Sequence, residues 1–185
     1  MATTASDDEE DQMGFVVSRL LDVSEGVRPD QFTVGGREEM DSLDELDPIY
    51  RQLLDEPVTA VLAVTAGDGR PNLTPVWFGY EGDHVILNFA EHRRKTEWVR
   101  RDPRVTVLLM NPANAYHWVS IRATVDREVH EDDPLDGHLA TETIDQAWTK
   151  YTGNPAPYGL RDPSKEERRV MFACKVERVA VFGRP

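Results

Sequence analysis

Apolar positions along the chain fall into two periods. From Val58 onward they gather in short β-rich runs: VTAVLAVT (58–65), NLTPVWFGY (72–80), HVILNFA (84–90), VTVLLM (105–110), YHWVSIRATVDREV (116–129), and a last run from Val170 to Phe182. The first three are joined by AGDGRP, with its Asp-Gly turn, and by EGD, both of hairpin length, so they predict an antiparallel meander. Three other stretches have helical spacing. Ile49, Leu53 and Leu54 follow a Ser42-x-x-Glu45 capping box, which predicts a short helix ending near Pro57. KTEWVRR has helical composition and is closed by Pro103, and Ile144, Ala147, Trp148 and Tyr151 mark a helix from about Leu135 to Tyr151. Six strands, mostly antiparallel and interrupted by short helices, fit a barrel of mainly β (α+β) class better than a layered α/β fold.

Charge divides the chain in two. The formal net charge is -13 over 185 residues, and residues 1–47 hold fourteen acids against three Arg, a net of -11, which leaves -2 for the rest. Residues 1–39 therefore read as an acidic, disordered extension, with GFVVSRLL as a possible short helix, and residues 40–185 as the folded domain. Met40 stands where organised sequence begins and is a candidate natural start. The acidic N-terminus is unlike a secretory signal, and no apolar run reaches the length of a membrane span, so a cytoplasmic protein with no membrane partner is expected. A single cysteine, Cys174, excludes an internal disulfide and fits a reducing compartment.

Against this acidity, His92 to Arg104 carries six basic residues and two acids. Such runs are commonly solvated helix faces, but here a helix start follows a strand, and Arg94, Lys95 and Thr96 would add side-chain donors to its free N–H groups. That arrangement suits a phosphate. A body of net charge near zero lacks the broad positive face that nucleic acid requires, so no nucleic acid is expected. Trp77 and Phe78 are adjacent in a strand and point to opposite faces, so one of them lines a groove or an interface. The five His form no metal-ligand pair, and no P-loop, G-x-G-x-x-G or nucleophile elbow is present. No metal site and no catalytic residue are assigned; an enzyme of this kind would rely on a bound cofactor.

The order of motifs D-G-R-P (68–71), T-P-V-W-F (74–78), R-K-T (94–96) and R-R-D-P-R-V (100–105), with the terminal R-V-x-F…V-E-R-V…F-G, resembles the pyridoxamine 5'-phosphate oxidase-like flavin and deazaflavin binding split-barrel family. Within it the chain is most similar to the deazaflavin (coenzyme F-420) dependent branch. The resemblance implies a homodimer of six-stranded antiparallel split β-barrels with short flanking helices and two cofactor sites at the dimer interface. It implies that Thr74, Pro75, Val76 and Trp77 edge the ring, that Leu87 and Asn88 flank it, and that Arg94, Lys95 and Thr96 bind phosphate. Tyr116 and Trp118 would close the site from the partner subunit. Trp98 stands where the family often has Asn, Ala123 where Ile-Arg-Gly is common, and the R-x-H segment of true pyridoxamine phosphate oxidases is missing, so that activity is not expected.

The implied function is hydride transfer between the ring and a small organic substrate, with deazaflavin favoured and FMN as the alternative. A different class of function is a non-catalytic flavin or haem binding, storage or sensing protein on the same barrel. Haem would need an axial ligand, for which His84, His92 and His117 are the candidates.

Overall fold

The computed structural model describes residues 14–20 and 34–185. Among the described residues nine strands and three α-helices follow one another as β1 (Phe15–Leu20), β2 (Val34–Met40), α1 (Pro48–Asp55), β3 (Ala60–Thr65), β4 (Pro71–Val76), β5 (Gly79–Glu81), β6 (His84–Ala90), α2 (Arg94–Arg101), β7 (Arg104–Asn111), β8 (Asn114–His130), α3 (Gly137–Thr152) and β9 (Arg169–Phe182). The sheet runs β2-β1-β9-β8-β7-β3-β4, and β6 joins it on β9 and carries β5 on its other side. The barrel is thus mainly β, and it is split: β4 pairs with β3, β5 pairs with β6, and the chain crosses the gap between the two sheet edges at Trp77-Phe78.

Alternation explains the core. Ala60, Leu62 and Val64 of β3, Val85, Leu87 and Phe89 of β6, Val105, Val107 and Leu109 of β7, and Val119 and Ile121 of β8 are all buried, while the residues between them face outward. The Asp-Gly turn forms as expected: Gly69 takes a positive φ of 84°, and the Arg70 N–H donates to Asp68 Oδ1 (3.1 Å). Cys174 lies in this core, and burial pushes its thiol up to about 12, which removes it from thiolate chemistry.

Three expectations are corrected. The stretch 72–80 is not one strand but two, because Trp77 and Phe78 leave one ladder before Gly79 enters the next. Ser42 caps a 3-10 turn through the Asp44 N–H (3.1 Å), and α1 is capped instead by Asp47, whose Oδ1 accepts from the Ile49 N–H (3.1 Å), with Pro48 at its first position. Within the acidic extension, Phe15–Leu20 and Val34–Met40 are strands, not a tail with a short helix. Phe15, Val16 and Val17 are β-formers, and the free edge of β9 offers Val16–Arg19 a parallel ladder at Arg178–Val181, so tertiary pairing overrides a short ambiguous run. Phe15 and Val17 then join the core. Residues 1–13 and 21–33 of the extension lie outside the described residues.

Helix α3 packs outside the barrel, where Ala140 meets Val129 and Met171 with Ile86 and Leu139 alongside. It ends at Gly153, whose φ of 72° is the left-handed C-cap conformation. No helix among the described residues is long and apolar enough to cross a membrane.

Candidate functional site

At the split, between β4, β5, β6, the start of α2 and the inner face of α3, lies a cavity of about 480 Å³. Its walls follow from the strand break and from helical spacing. Pro75, Val76, Trp77 and Phe78 line it where the chain crosses the gap, Ile86 and Asn88 line it from the outer face of β6, and Thr143, Ile144, Ala147 and Lys150 line it from one stripe of α3. Phe78 enters the core at 1 % exposure, whereas Trp77 turns to α3. The Trp77 ring stacks on Tyr151 at 5.4 Å and 10°, and Trp148, 6.2 Å from Trp77, meets Tyr158 edge-on at 5.8 Å. Burial pushes the Tyr151 hydroxyl up to about 12, and it donates to the Val58 carbonyl (3.0 Å), so it holds α3 in place and is not a proton donor to a ligand.

The cavity has a cationic end. Lys95, in the first turn of α2, lines it with Nζ 4.8 Å from the Phe89 ring centroid and forms no ion pair among the described residues. Burial and then the positive charges of Arg93 and Arg169 hold its pKa below the ordinary lysine value. No side chain caps the first turn of α2. Arg169 lines the same end and is itself buried: Nη1 donates to Glu167 Oε1 (2.8 Å), Nε to Asn88 Oδ1 (2.8 Å), and Nη2 to the Asn88 carbonyl (3.0 Å). Asn88 Nδ2 in turn donates to the Ala140 carbonyl (2.7 Å) and Thr143 Oγ1 (3.0 Å), which ties β6, β9 and α3 into one wall. A positive end beside an aromatic and aliphatic slot fits a flat ring that carries an anionic substituent.

Of the residues expected at the site, Pro75, Val76, Trp77, Asn88 and Lys95 line the cavity. Leu87 does not: strand alternation sends it into the barrel at 0 % exposure, and Ile86, one residue earlier, takes the place. Thr74 sits in β4 away from the lining, with its buried Oγ1 lacking a hydrogen-bond partner among the described residues. Arg94 is exposed, and Thr96 is buried with its hydroxyl donating to the Ala90 carbonyl (3.1 Å), because three consecutive helical residues point about 100° apart and only Lys95 faces inward. Tyr116 and Trp118 lie on the outer face of the barrel. Cross-strand register places Trp118 beside Met110 and Phe182, and one row over Leu108 is beside Val61, which faces Pro75. Leu73 (63 % exposed), Met110 (41 %) and Tyr116 (70 %) belong to that apolar face.

Three of the remaining basic residues of the run are occupied elsewhere, and Arg93 is exposed. Arg100 pairs with Glu91 (2.6 Å) and Glu128 (2.5 Å), Arg104 pairs with Asp102 (2.8 Å), and Arg101 donates to the carbonyls of Thr65 (3.2 Å) and Ala66 (2.6 Å). Trp98 packs against the core with its indole nitrogen beside Gly67, so it braces the β3–β4 turn. Arg169, Lys150, Tyr158 and Thr143 are lining residues that sequence reasoning missed. The 143, 147, 150 spacing on α3 is a signal for two of them.

Residues 46–182 match the family model described as pyridoxamine 5'-phosphate oxidase. No curated protein sequence matches the chain. Among solved structures, one described as an F420 reductase is 22 % identical with a TM-score of 0.56, the match covering 72 % of this chain and 98 % of that one. The conserved hypothetical protein Rv2991 from Mycobacterium tuberculosis is 25 % identical with a TM-score of 0.52, covering 68 % and 76 %. HutZ from Vibrio cholerae, described as a haem storage protein, is 15 % identical with a TM-score of 0.52, covering 72 % and 92 %.

Proposed function

The chain belongs to the pyridoxamine 5'-phosphate oxidase family, and from that premise we propose that it is a flavin- or deazaflavin-dependent oxidoreductase acting on a small organic substrate. The observation that carries this reading is the cavity at the split, with Lys95 unpaired beside Arg169 at one end and a slot of Pro75, Val76, Trp77 and Ile86 next to it. When bound, the ring supplies the hydride chemistry. Lys95 and Arg169 would hold its phosphate, the slot would orient the ring and exclude water, and the chain would supply position more than proton transfer. Deazaflavin is favoured over FMN on the chain's resemblance to that branch alone. The reading includes a homodimer, supported by the apolar outer face that bears Leu73, Met110, Tyr116 and Trp118. Storage of haem is not adopted: His84 is held between Asp83 (2.6 Å) and Asp126 (2.8 Å), His117 is buried beside Asn111 (3.1 Å), and neither these nor His92 line the cavity.

Titration of the purified protein with FMN and with coenzyme F-420, followed by fluorescence, tests the reading; no binding of either at micromolar concentration overturns it. Lys95→Ala should weaken the bound form by about 1.5–3 kcal/mol, the range for a hydrogen bond to a charged group, or roughly 10- to 150-fold. The anion needs the charged ammonium, so affinity should fall as pH rises through the depressed Lys95 pKa, below the ordinary lysine range. In the free protein the sign is opposite. The native state binds fewer protons at Lys95 than the unfolded chain does, so its contribution to stability rises with pH across the same window.

Met110→Glu places a charge in the middle of the outer face. It should shift the dimer toward monomer by about tenfold or more in light scattering, with the circular dichroism spectrum unchanged, since an unpaired buried charge is costly and an exposed one is not. An unchanged dimer would move the interface elsewhere.

A further inference from the structure

Lys150 is a second cation in the same cavity; Asp55 lines the cavity too and its charge acts on Lys150, but the two form no ion pair. It stands in the last turn of α3, donates one N–H to the Leu54 carbonyl, and lies 4.8 Å from the ring centroid of Phe78 and 5.3 Å from that of Tyr151. It forms no ion pair among the described residues, and that one carbonyl engages one of the three N–H donors of an ammonium. Burial holds its pKa below the ordinary value, with Asp55 pulling in the opposite direction. A half-buried lysine with one carbonyl partner and no paired carboxylate keeps donors that an electronegative ligand group can meet.

Its place relative to the first cation follows from the helix. Asn88, bonded to Arg169, holds α3 at Ala140 and Thr143. Lys150 is seven residues beyond Thr143, which at 1.5 Å per residue is about 10 Å along the axis. Lys150 therefore meets the cavity at a different place from Lys95 and Arg169, and Trp77, Ile144 and Ala147 also line it.

We propose that Lys150 is a ligand-binding residue that meets the carbonyl-bearing edge of the ring, the edge that is more negative in the reduced than in the oxidised form, while the phosphate lies at Lys95 and Arg169. The proposal rests on the function read above and adds to it a residue that discriminates redox states. The site takes a flat ligand with two electronegative ends, and it binds the reduced ring more tightly than the oxidised one. Lys95 reads the phosphate; Lys150 reads the ring.

The test titrates wild type, Lys95→Ala, Lys150→Met and Lys150→Gln with FMN and with riboflavin, the same ring without phosphate, and with coenzyme F-420 and its phosphate-free ring fragment. Midpoint potentials of the bound rings are measured alongside. Lys150→Met is expected to weaken the phosphorylated and unphosphorylated ligand by the same factor, on the order of tenfold, and to lower the midpoint potential. Lys95→Ala is expected to weaken only the phosphorylated one. Lys150→Gln keeps a donor to the Leu54 carbonyl without the charge, so it should behave as Lys150→Met does. Wild-type affinity and potential in folded Lys150→Gln would overturn the role of Lys150 and leave the function standing. Failure of wild type to bind any of the four ligands would overturn both.

Discussion

Replacing Arg169 by Ala should lower the unfolding free energy by about 3–5 kcal/mol, the cost of breaking a buried pair from one side. The Arg169 side chain is 8 % exposed, and the Glu167 side chain that it pairs with is 5 % exposed. Truncation leaves that carboxylate buried without its charge partner and removes the donor to Asn88 Oδ1. It also removes the cation that lies 5.2 Å from the Tyr158 ring and helps to hold the segment after α3. Arg169→Lys keeps the charge but loses the planar fork that reaches Glu167 and Asn88 together, so it should recover only part of the loss. Glu167→Gln is the companion measurement. It removes the burdened carboxylate instead of its partner and should cost less. Urea unfolding of the three variants, compared at constant m, gives the order.

Phe15→Ala should cost about 3 kcal/mol or more, as large-to-small changes do in cores. Phe15 is 2 % exposed and belongs to the main core cluster, on a strand that the charge pattern assigns to a tail. An unstructured tail would give no change. A chain begun at Met40 should lose more, because Val17 goes as well and the edge of β9 at Arg178–Val181 is left without its parallel partner. Thermal unfolding of the point variant and of the shortened chain separates a domain that begins near residue 14 from one that begins near residue 40.

Most of the barrel was legible because its strands alternate cleanly and its turns carry Asp-Gly and Gly. What was hidden depends on partners distant in sequence. The run 72–80 looks continuous because nothing local records that Pro71–Val76 pairs with β3 while Gly79–Glu81 pairs with β6. Arg169 could not be found from its own neighbourhood, since its role needs the registers that bring β6, β9 and α3 together around Asn88. Other misses were avoidable. Leu87 and Asn88 cannot both flank one site on a pleated strand, and of Arg94, Lys95 and Thr96 only one can face a cavity from a helix. Lys150 was within reach too, since it completes the stripe that Thr143 and Ala147 begin.

The position of β9 bears on how the chain is made. Residues 169–182 pair with β8 along one side and with β6 and then β1 along the other. Three strands synthesised earlier therefore wait, with one edge bare, until this segment leaves the ribosome. Helix α3 lacks part of its seat as well, for its apolar side rests on Met171 along with Val129 and Ile86. Such long-range closure is slow and leaves hydrophobic edges open in the meantime. Nascent chains stalled before residue 169 should be captured by chaperones and sensitive to protease, and both properties should vanish once Phe182 has emerged.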